Sequence, residues 1–345
     1  MSKRRVEIID ITKALTIFLV IMGHTTGNLD TPLFRRMIYS FHMPLFFILA
    51  GLSIKPICVK TSKEWLTFIN KNLKSLIVPY FIWGLIYATF SYQSFKYLAF
   101  GSWEALVDMN TLTSLWYLPC FFFSRLVTQL EVNVITKIKT EKTNVLYIVA
   151  GLITIIVGLV IPHPEGGCFW CADISVLAAG FILLGIGIKE LYIIGAQQKN
   201  VFLVGAFVIS LGLFLLCTVG RADDLYLSLM CKADNGNIFW FMIVSLLGSA
   251  AVLSMAWIIF RISRESNLKF DTKFITFIGT HTLGIYLLHK PFLQEIAVPL
   301  VSRCLAGCPF EVVALLASIL ALIYSIVLCA VIEKYIPQLL GQFPR

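Results

Sequence analysis

A chain of 345 residues that is 58% hydrophobic and 14% charged lies far from the roughly 25% charge of soluble domains, which excludes a water-soluble globule and makes lipid the solvent. The net charge of +9 does not mark a nucleic-acid binder, because no compact basic stripe with interleaved aromatics stands on a soluble segment. Long unbroken apolar runs satisfy their backbone polar groups as helices, whereas barrel strands alternate apolar and polar residues. The expected fold is therefore all-α, a polytopic membrane bundle of about ten transmembrane helices.

The amino-terminal Lys3, Arg4 and Arg5 lead into an apolar run that carries Lys13 and has no small-residue cleavage site, so that run is expected to remain as a helix. Apolar stretches near the roughly 20 residues that a bilayer core requires fall at 8–26, 34–54, 75–92, 113–130, 144–161, 174–188, 201–219, 238–260, 274–300 and 312–332. The sixth is short, and the ninth is long enough to tilt or break. With the amino terminus inside, the interior segments collect 19 Lys and Arg and the exterior ones six. The positive-inside rule then places both termini in the cytoplasm, with Arg35 and Arg36 the weakest fit. No loop is long enough for a separate domain and no repeat is visible, so residues 1–345 read as one transmembrane domain. Of nine cysteines, Cys168, Cys171, Cys231, Cys304 and Cys308 fall on the expected exterior. There, free thiols or a structural disulfide rank ahead of a metal site, because Cys168-x-x-Cys171 has no matching second pair.

Ionisable residues inside spanning helices are functional hypotheses by default. In the first span Lys13 and His24 are eleven residues apart, which returns them to within roughly 20° of one face and some 16 Å apart along the axis. Asp10 can reach Lys13 from three residues away, so a self-neutralising pair near the inner interface, with Lys13 snorkelling, is the plain alternative to a donor-binding role. His24 sits in Gly23-His24-Thr25-Thr26-Gly27, where glycines permit close backbone approach and threonines add hydroxyls.

The second span contains Phe41-His42-Met43-Pro44, where Pro44 frees a carbonyl and kinks the helix near His42. Two histidines at the outer ends of adjacent helices suit general acid-base work. The ninth span adds His281, Tyr286 and His289, the last two sharing a face. Trp116, beside Tyr117 at the start of the fourth span, is either part of an interfacial aromatic belt or a sugar-stacking platform. Asp173, at the outer entrance to the sixth, is either an acceptor for sugar hydroxyls or a solvated helix start.

These strings resemble the acyltransferase family 3 integral-membrane O-acyltransferases, especially the branch similar to the fucose O-acetylase of nodulation-factor synthesis. The resemblance is carried, in order, by residues 5–13 through Gly23-His24, by Phe41-His42-Met43-Pro44-Leu45-Phe46-Phe47, by Leu115-Trp116-Tyr117-Leu118-Pro119, and by Ile278-Gly279 through Tyr286-Leu287-Leu288-His289. Two positions depart from the family pattern. Lys13 stands where arginine is usual, keeping the charge and losing the bidentate fork, and His281 stands where asparagine is common.

The resemblance implies transfer of an acyl group, usually acetyl from cytoplasmic acetyl-CoA, to a hydroxyl of a cell-envelope sugar or lipid-linked precursor in a bacterial inner membrane. Acetyl-CoA would be a cosubstrate, with no bound cofactor or metal expected. His24 is then the candidate base, with His42 and His289 as further catalytic candidates. Lys13 and Asp10 are the donor-binding candidates, and Trp116, Asp173 and Tyr286 the acceptor-orienting ones. The competing class is a proton-coupled transporter or flippase of a lipid-linked saccharide, with Asp10, Lys13 and the histidines as a relay; it lacks recognisable paired inverted repeats.

Overall fold

The computed structural model describes residues 6–25, 33–88, 92–107, 110–138, 140–219, 238–265 and 272–343. Thr26, Gly27, Lys3 to Arg5, Arg221, Cys231 and Lys232 lie outside them. No strand occurs among the described residues. In chain order the α-helices are α1 (Glu7–Gly23), α2 (Leu33–Ser53), α3 (Ser62–Asn72), α4 (Val78–Tyr87), α5 (Tyr92–Phe100), α6 (Trp103–Val107), α7 (Tyr117–Ile135) and α8 (Thr143–Val160). They continue with α9 (Ala172–Gly195), α10 (Asn200–Val219), α11 (Ile238–Glu265), α12 (Lys273–Thr280), α13 (Thr282–Phe292), α14 (Val298–Cys304) and α15 (Phe310–Tyr335).

Six helical segments among the described residues are long and apolar enough to cross a bilayer: Leu33–Ser53, Thr143–Val160, Phe169–Gly195, Asn200–Val219, Trp240–Glu265 and Phe310–Tyr335. The third of these is the span that reads as short from hydropathy. The helix runs on through Lys189 and Glu190, whose charges end an apolar run without ending the backbone hydrogen bonding. The fourth expected span begins later than its apolar run, because Asn110–Trp116 is wound as a 3-10 turn before α7 starts at Tyr117.

The ninth expected span is broken. α12 ends and α13 begins at His281, whose φ of −108° and ψ of 17° leave the helical region. Beyond α13 a π-turn, Leu293–Ala297, precedes α14, which carries a proline in its first turn. The same sequence of events, a π-turn Leu73–Ile77 followed by a proline, opens α4. A proline lacks the N–H that would close the preceding turn, and widening that turn by one residue absorbs the loss.

The helices form two compact units, Met1–Leu49 with Lys189–Val327 and Ala50–Ile188 with Leu328–Arg345. In the first, α1 packs on α11, α12 and α13, and α10 on α11. The buried face of α1 includes Ile11, Ile17 and Ile21, each at 0% exposure. Its start is tied by the Glu7 carboxylate, which accepts hydrogen bonds from Arg264 Nη2 at 2.8 Å and from Thr272 Oγ1. Its middle shares a hydrogen bond of 2.6 Å between Thr12 Oγ1 and the Tyr192 hydroxyl. α1 and α12 approach so closely that a Cβ on Gly279 would stand 1.8 Å from the Asp10 carbonyl oxygen.

In the second unit, α8 lies on α9 through glycines on both helices. A Cβ on Gly151 would meet the Gly180 carbonyl oxygen at 2.8 Å, and one on Gly158 would meet Leu177 Cα at 2.5 Å. Lipid supplies no hydrophobic drive between helices, so such small-residue seams, which maximise van der Waals contact, hold them together. α3 starts on a capping box in which Thr61 Oγ1 accepts from Glu64 N–H and Glu64 returns an acceptor to Thr61 N–H.

Because the Gly279 contact leaves no room for a methyl group, Gly279→Ala is expected to separate α1 from α12 and lower stability by about 1–3 kcal/mol. Gly205→Ala, where nothing lies within 4 Å, should leave stability unchanged or slightly raised. Thermal unfolding of the two variants in detergent checks the contrast.

Candidate functional site

α1 ends at His24, whose backbone N–H closes the helix onto Val20 O and Ile21 O. Two further hydrogen bonds hold this end: Arg35 Nε donates to Gly23 O at 3.1 Å, and Gln294 Nε2 donates to His24 O at 3.3 Å. The residue before His24 packs closely on α2, since a Cβ on Gly23 would stand 3.0 Å from the Tyr39 ring. The imidazole is thereby carried on a helix terminus pinned from α2 and from the π-turn that follows α13.

His24 Nδ1 and His289 Nε2 are 2.8 Å apart, with ring planes 16° apart and centroids 5.1 Å apart. That centroid separation is the N···N distance plus roughly one ring radius on either side. The rings therefore meet edge to edge in one plane, which is hydrogen-bond geometry. His289 is fully buried at 0% exposure, and its Nδ1 faces the carbonyls of Tyr286 at 2.8 Å and Ile285 at 3.1 Å. His42, buried on α2, has its Nδ1 2.8 Å from Ile38 O. Tyr39 bridges the two groups: its ring is 4.8 Å from His42 and 6.1 Å from His24, edge-on to the latter.

Tyr286 packs 6.1 Å from His289. The structure thus brings together four residues expected from the sequence, His24, His42, His289 and Tyr286, on α1, α2 and α13. Lys13 and Asp10 lie towards the other end of the continuous α1, about 16 Å and about 21 Å from His24 by helical rise, with Asp10 buried and Lys13 part-buried. His281 sits at the α12–α13 break, its Nδ1 2.7 Å from Phe277 O and its ring 4.0 Å from that of Phe277.

Two cations escaped the reading from sequence. Arg35, which stands out there only as a topological misfit, places its guanidinium 4.7 Å from the centre of the Tyr39 ring. Lys290, beside His289, is buried at 5% exposure. Arg35 Nε reaches the Gly23 carbonyl beside His24, and Lys290 follows directly on the histidine that pairs with His24. A signal for Arg35 existed: 35, 39 and 42 follow i, i+4, i+7 spacing on one helix face.

Trp116 and Asp173 belong to the second unit. Trp116 is buried at 3% exposure beside Tyr117. Asp173, in the first turn of α9, accepts a hydrogen bond from His163 Nδ1, while His163 Nε2 donates to Glu104 Oε1 at 2.6 Å. Sequence offered no sign of this triad, because Glu104 and His163 are 59 residues apart. Gly167, at φ +72°, makes room for Glu104 where a Cβ would collide. The segment below is strapped by Trp170 Nε1 donating to Ala99 O at 3.1 Å and by Cys171 Sγ against Gly101 O at 3.4 Å. Cys168, Cys171, Cys304 and Cys308 are not joined in disulfides.

Burial works to lower the His163 pKa, but the hydrogen bonds and charges of Glu104 and Asp173 outweigh it and raise the imidazole above its ordinary 6.5. A raised folded-state pKa contributes stability that is fully present below the unfolded value and is lost as pH climbs through the folded value. The stability advantage of wild type over His163→Gln is therefore expected to be largest near about pH 6 and to shrink towards about pH 9. Thermal unfolding of both proteins across that range is the measurement.

Comparison with known proteins adds a family match. The family described as Acyltransferase domain matches residues 6–334. Nodulation protein NolL of Sinorhizobium fredii is 26% identical over 131 residues, covering 35% of this chain and 35% of that protein. The match thus spans about a third of the relative's length. No solved structure matches.

Proposed function

This chain belongs to the acyltransferase family whose model spans residues 6–334, and from that premise we propose that it is a multi-pass O-acyltransferase of the fucose O-acetylase-like branch, moving an acetyl group from acetyl-CoA to a hydroxyl of a cell-envelope sugar or polysaccharide precursor. The observation that carries the reading is the His24–His289 pair: an imidazole on a pinned helix end, joined edge to edge to a second, fully buried imidazole.

In this reading His24 removes the proton of the acceptor hydroxyl as that oxygen attacks the thioester carbonyl carbon. The C–S bond breaks, the acyl group passes to the sugar oxygen, and the proton held by His24 returns to the departing thiolate. A thioester is already activated, so positioning and one general base suffice. Arg35, which donates to the carbonyl of the residue before His24, supplies positive charge where a tetrahedral oxyanion would form. His42 and Tyr286 shape the same end, Trp116 and Asp173 are the acceptor-orienting candidates, and Lys13 with Asp10 meets the donor from the cytoplasmic side.

The topology that goes with this chemistry has ten crossings of a bacterial inner membrane and both termini inside. Cys308, exposed in the turn between α14 and α15, is then exterior, and Cys58 interior. A membrane-impermeant maleimide applied to intact cells should label Cys308 and spare Cys58. The reverse pattern would exchange donor and acceptor sides and sink the arrangement.

General-base assistance supplies about 10²–10⁴-fold. His24→Gln, which keeps polarity and removes the basic nitrogen, is expected to lose that much acetyl transfer from labelled acetyl-CoA to membrane glycan while donor binding survives. Lys13→Ala should weaken donor binding more than Lys13→Arg. Near-normal transfer by His24→Gln would remove the base assignment. Proton-dependent saccharide uptake by a wild type that transfers nothing would favour the transporter.

A further inference from the structure

The two imidazoles are not equivalent, and their surroundings decide which one can act. His289 Nδ1 lies 2.8 Å from Tyr286 O and 3.1 Å from Ile285 O. A carbonyl oxygen only accepts, so His289 Nδ1 carries a hydrogen. In a neutral imidazole the other nitrogen then bears a lone pair, so His289 Nε2 is an acceptor. Its partner at 2.8 Å is His24 Nδ1, which must donate. A neutral His24 that donates from Nδ1 has its lone pair on Nε2, and among the described residues His24 Nε2 makes no hydrogen bond.

We infer that His289 is a positioning residue that fixes His24 in the Nδ1–H tautomer, relaying the polarity of the α13 backbone carbonyls through two rings so that His24 Nε2 is the proton-accepting atom. This rests on the reading of His24 as the base, and it assigns His289 no contact with substrate. The in-plane ring geometry serves the same end, since a hydrogen bond along the ring edge also fixes the direction of the Nε2 lone pair. The break at His281 makes α13 a separate short helix, and the relay needs one of its i−4 and i−3 carbonyls to face the ring of His289. Without an acceptor at His289 Nε2, His24 would populate both tautomers, and in one of them the hydrogen would sit on the nitrogen that must take the proton.

Two measurements test the assignment. The first is ¹⁵N NMR of histidine-labelled protein, with His24→Gln used to identify the His24 signals. Wild type is expected to show a protonated Nδ1 and an unprotonated Nε2 on His24, His289→Leu to lose that preference, and His289→Gln, whose side-chain oxygen can accept the same hydrogen, to keep it. A wild-type His24 with its hydrogen on Nε2 overturns the inference. The second is transfer kinetics. His289→Leu is expected to lower kcat by about 10²-fold with the donor KM unchanged, within the range that general-base assistance spans, and His289→Gln to recover most of it. A folded His289→Leu protein with wild-type kcat, or a His289→Gln protein no better than His289→Leu, overturns it. Failure of the base reading has a different signature: His24→Gln would then retain transfer while the tautomer pattern of wild type stayed as described.

Discussion

The structure depends on the absence of water from the bilayer interior. Every backbone amide there must find its partner within the chain, which confines the spanning segments to helices, and side-chain polar groups face the same demand. Buried hydroxyls meet it by turning back onto their own helix: Thr12 donates to Ile8 O, Thr16 to Thr12 O, Ser124 to Cys120 O, Thr128 to Ser124 O and Ser325 to Ala321 O, all at 2.7–2.8 Å. Thr16, Ser124, Thr128 and Ser325 are satisfied in this way on their own helices, while Thr12 also meets the Tyr192 hydroxyl on α9. Helix-to-helix adhesion is left to close approach, and the glycine seams of α8 on α9 and of α12 on α1 supply it.

Against that background the interactions that do cross between helices stand out, and in the first unit several are spaced along α1: at Glu7, at Thr12 and at the Gly23–His24 end. A helix terminus leaves carbonyls without intrahelical partners. Here Arg35 takes the Gly23 carbonyl and Gln294 the His24 carbonyl, so that satisfying the helix end and positioning the imidazole are one event. The interruption of the ninth span contributes from the other side. A single straight helix from Lys273 to Cys304 would hold all its side chains in one register; a break at His281 and a π-turn at Leu293–Ala297 let α12, α13 and Gln294 address α1 separately. π-turns within helices frequently accompany functional sites.

Charged groups in the second unit follow a different logic. His163, in the loop before α9, stands between Glu104 of α6 and Asp173 of the first turn of α9, with a carboxylate on each ring nitrogen. Trp170 and Cys171 hold left-handed backbone at φ 51° and 52°, a conformation that costs of order 1–3 kcal/mol each and persists only where the surroundings impose it. The surroundings here are a tight aromatic cluster of Phe81, Phe122, Phe123 and Phe169 about the Trp170 ring.

The sequence by itself determined that this is a helical membrane protein, because hydropathy and length report directly on the solvent a segment needs. It determined that His24, His42 and His289 merit attention, because an ionisable side chain in an apolar run stands out without any neighbour being known. It also carried the family strings that the match over residues 6–334 bears out at the level of the acyltransferase family. What only the tertiary structure decided were relations between residues distant along the chain. The 2.8 Å pairing of His24 with His289 spans 265 positions, and the Glu104–His163–Asp173 triad joins α6, the loop after α8 and the start of α9. Apolar periodicity encodes which face of a helix is buried, and contains nothing about which other helix it meets or in which register. The length of the ninth run allows for a tilt or a break, but not for its place at His281. Thr280-His281-Thr282 carries no glycine or proline to mark an end locally, and the backbone of His281 shows where α12 ends and α13 begins.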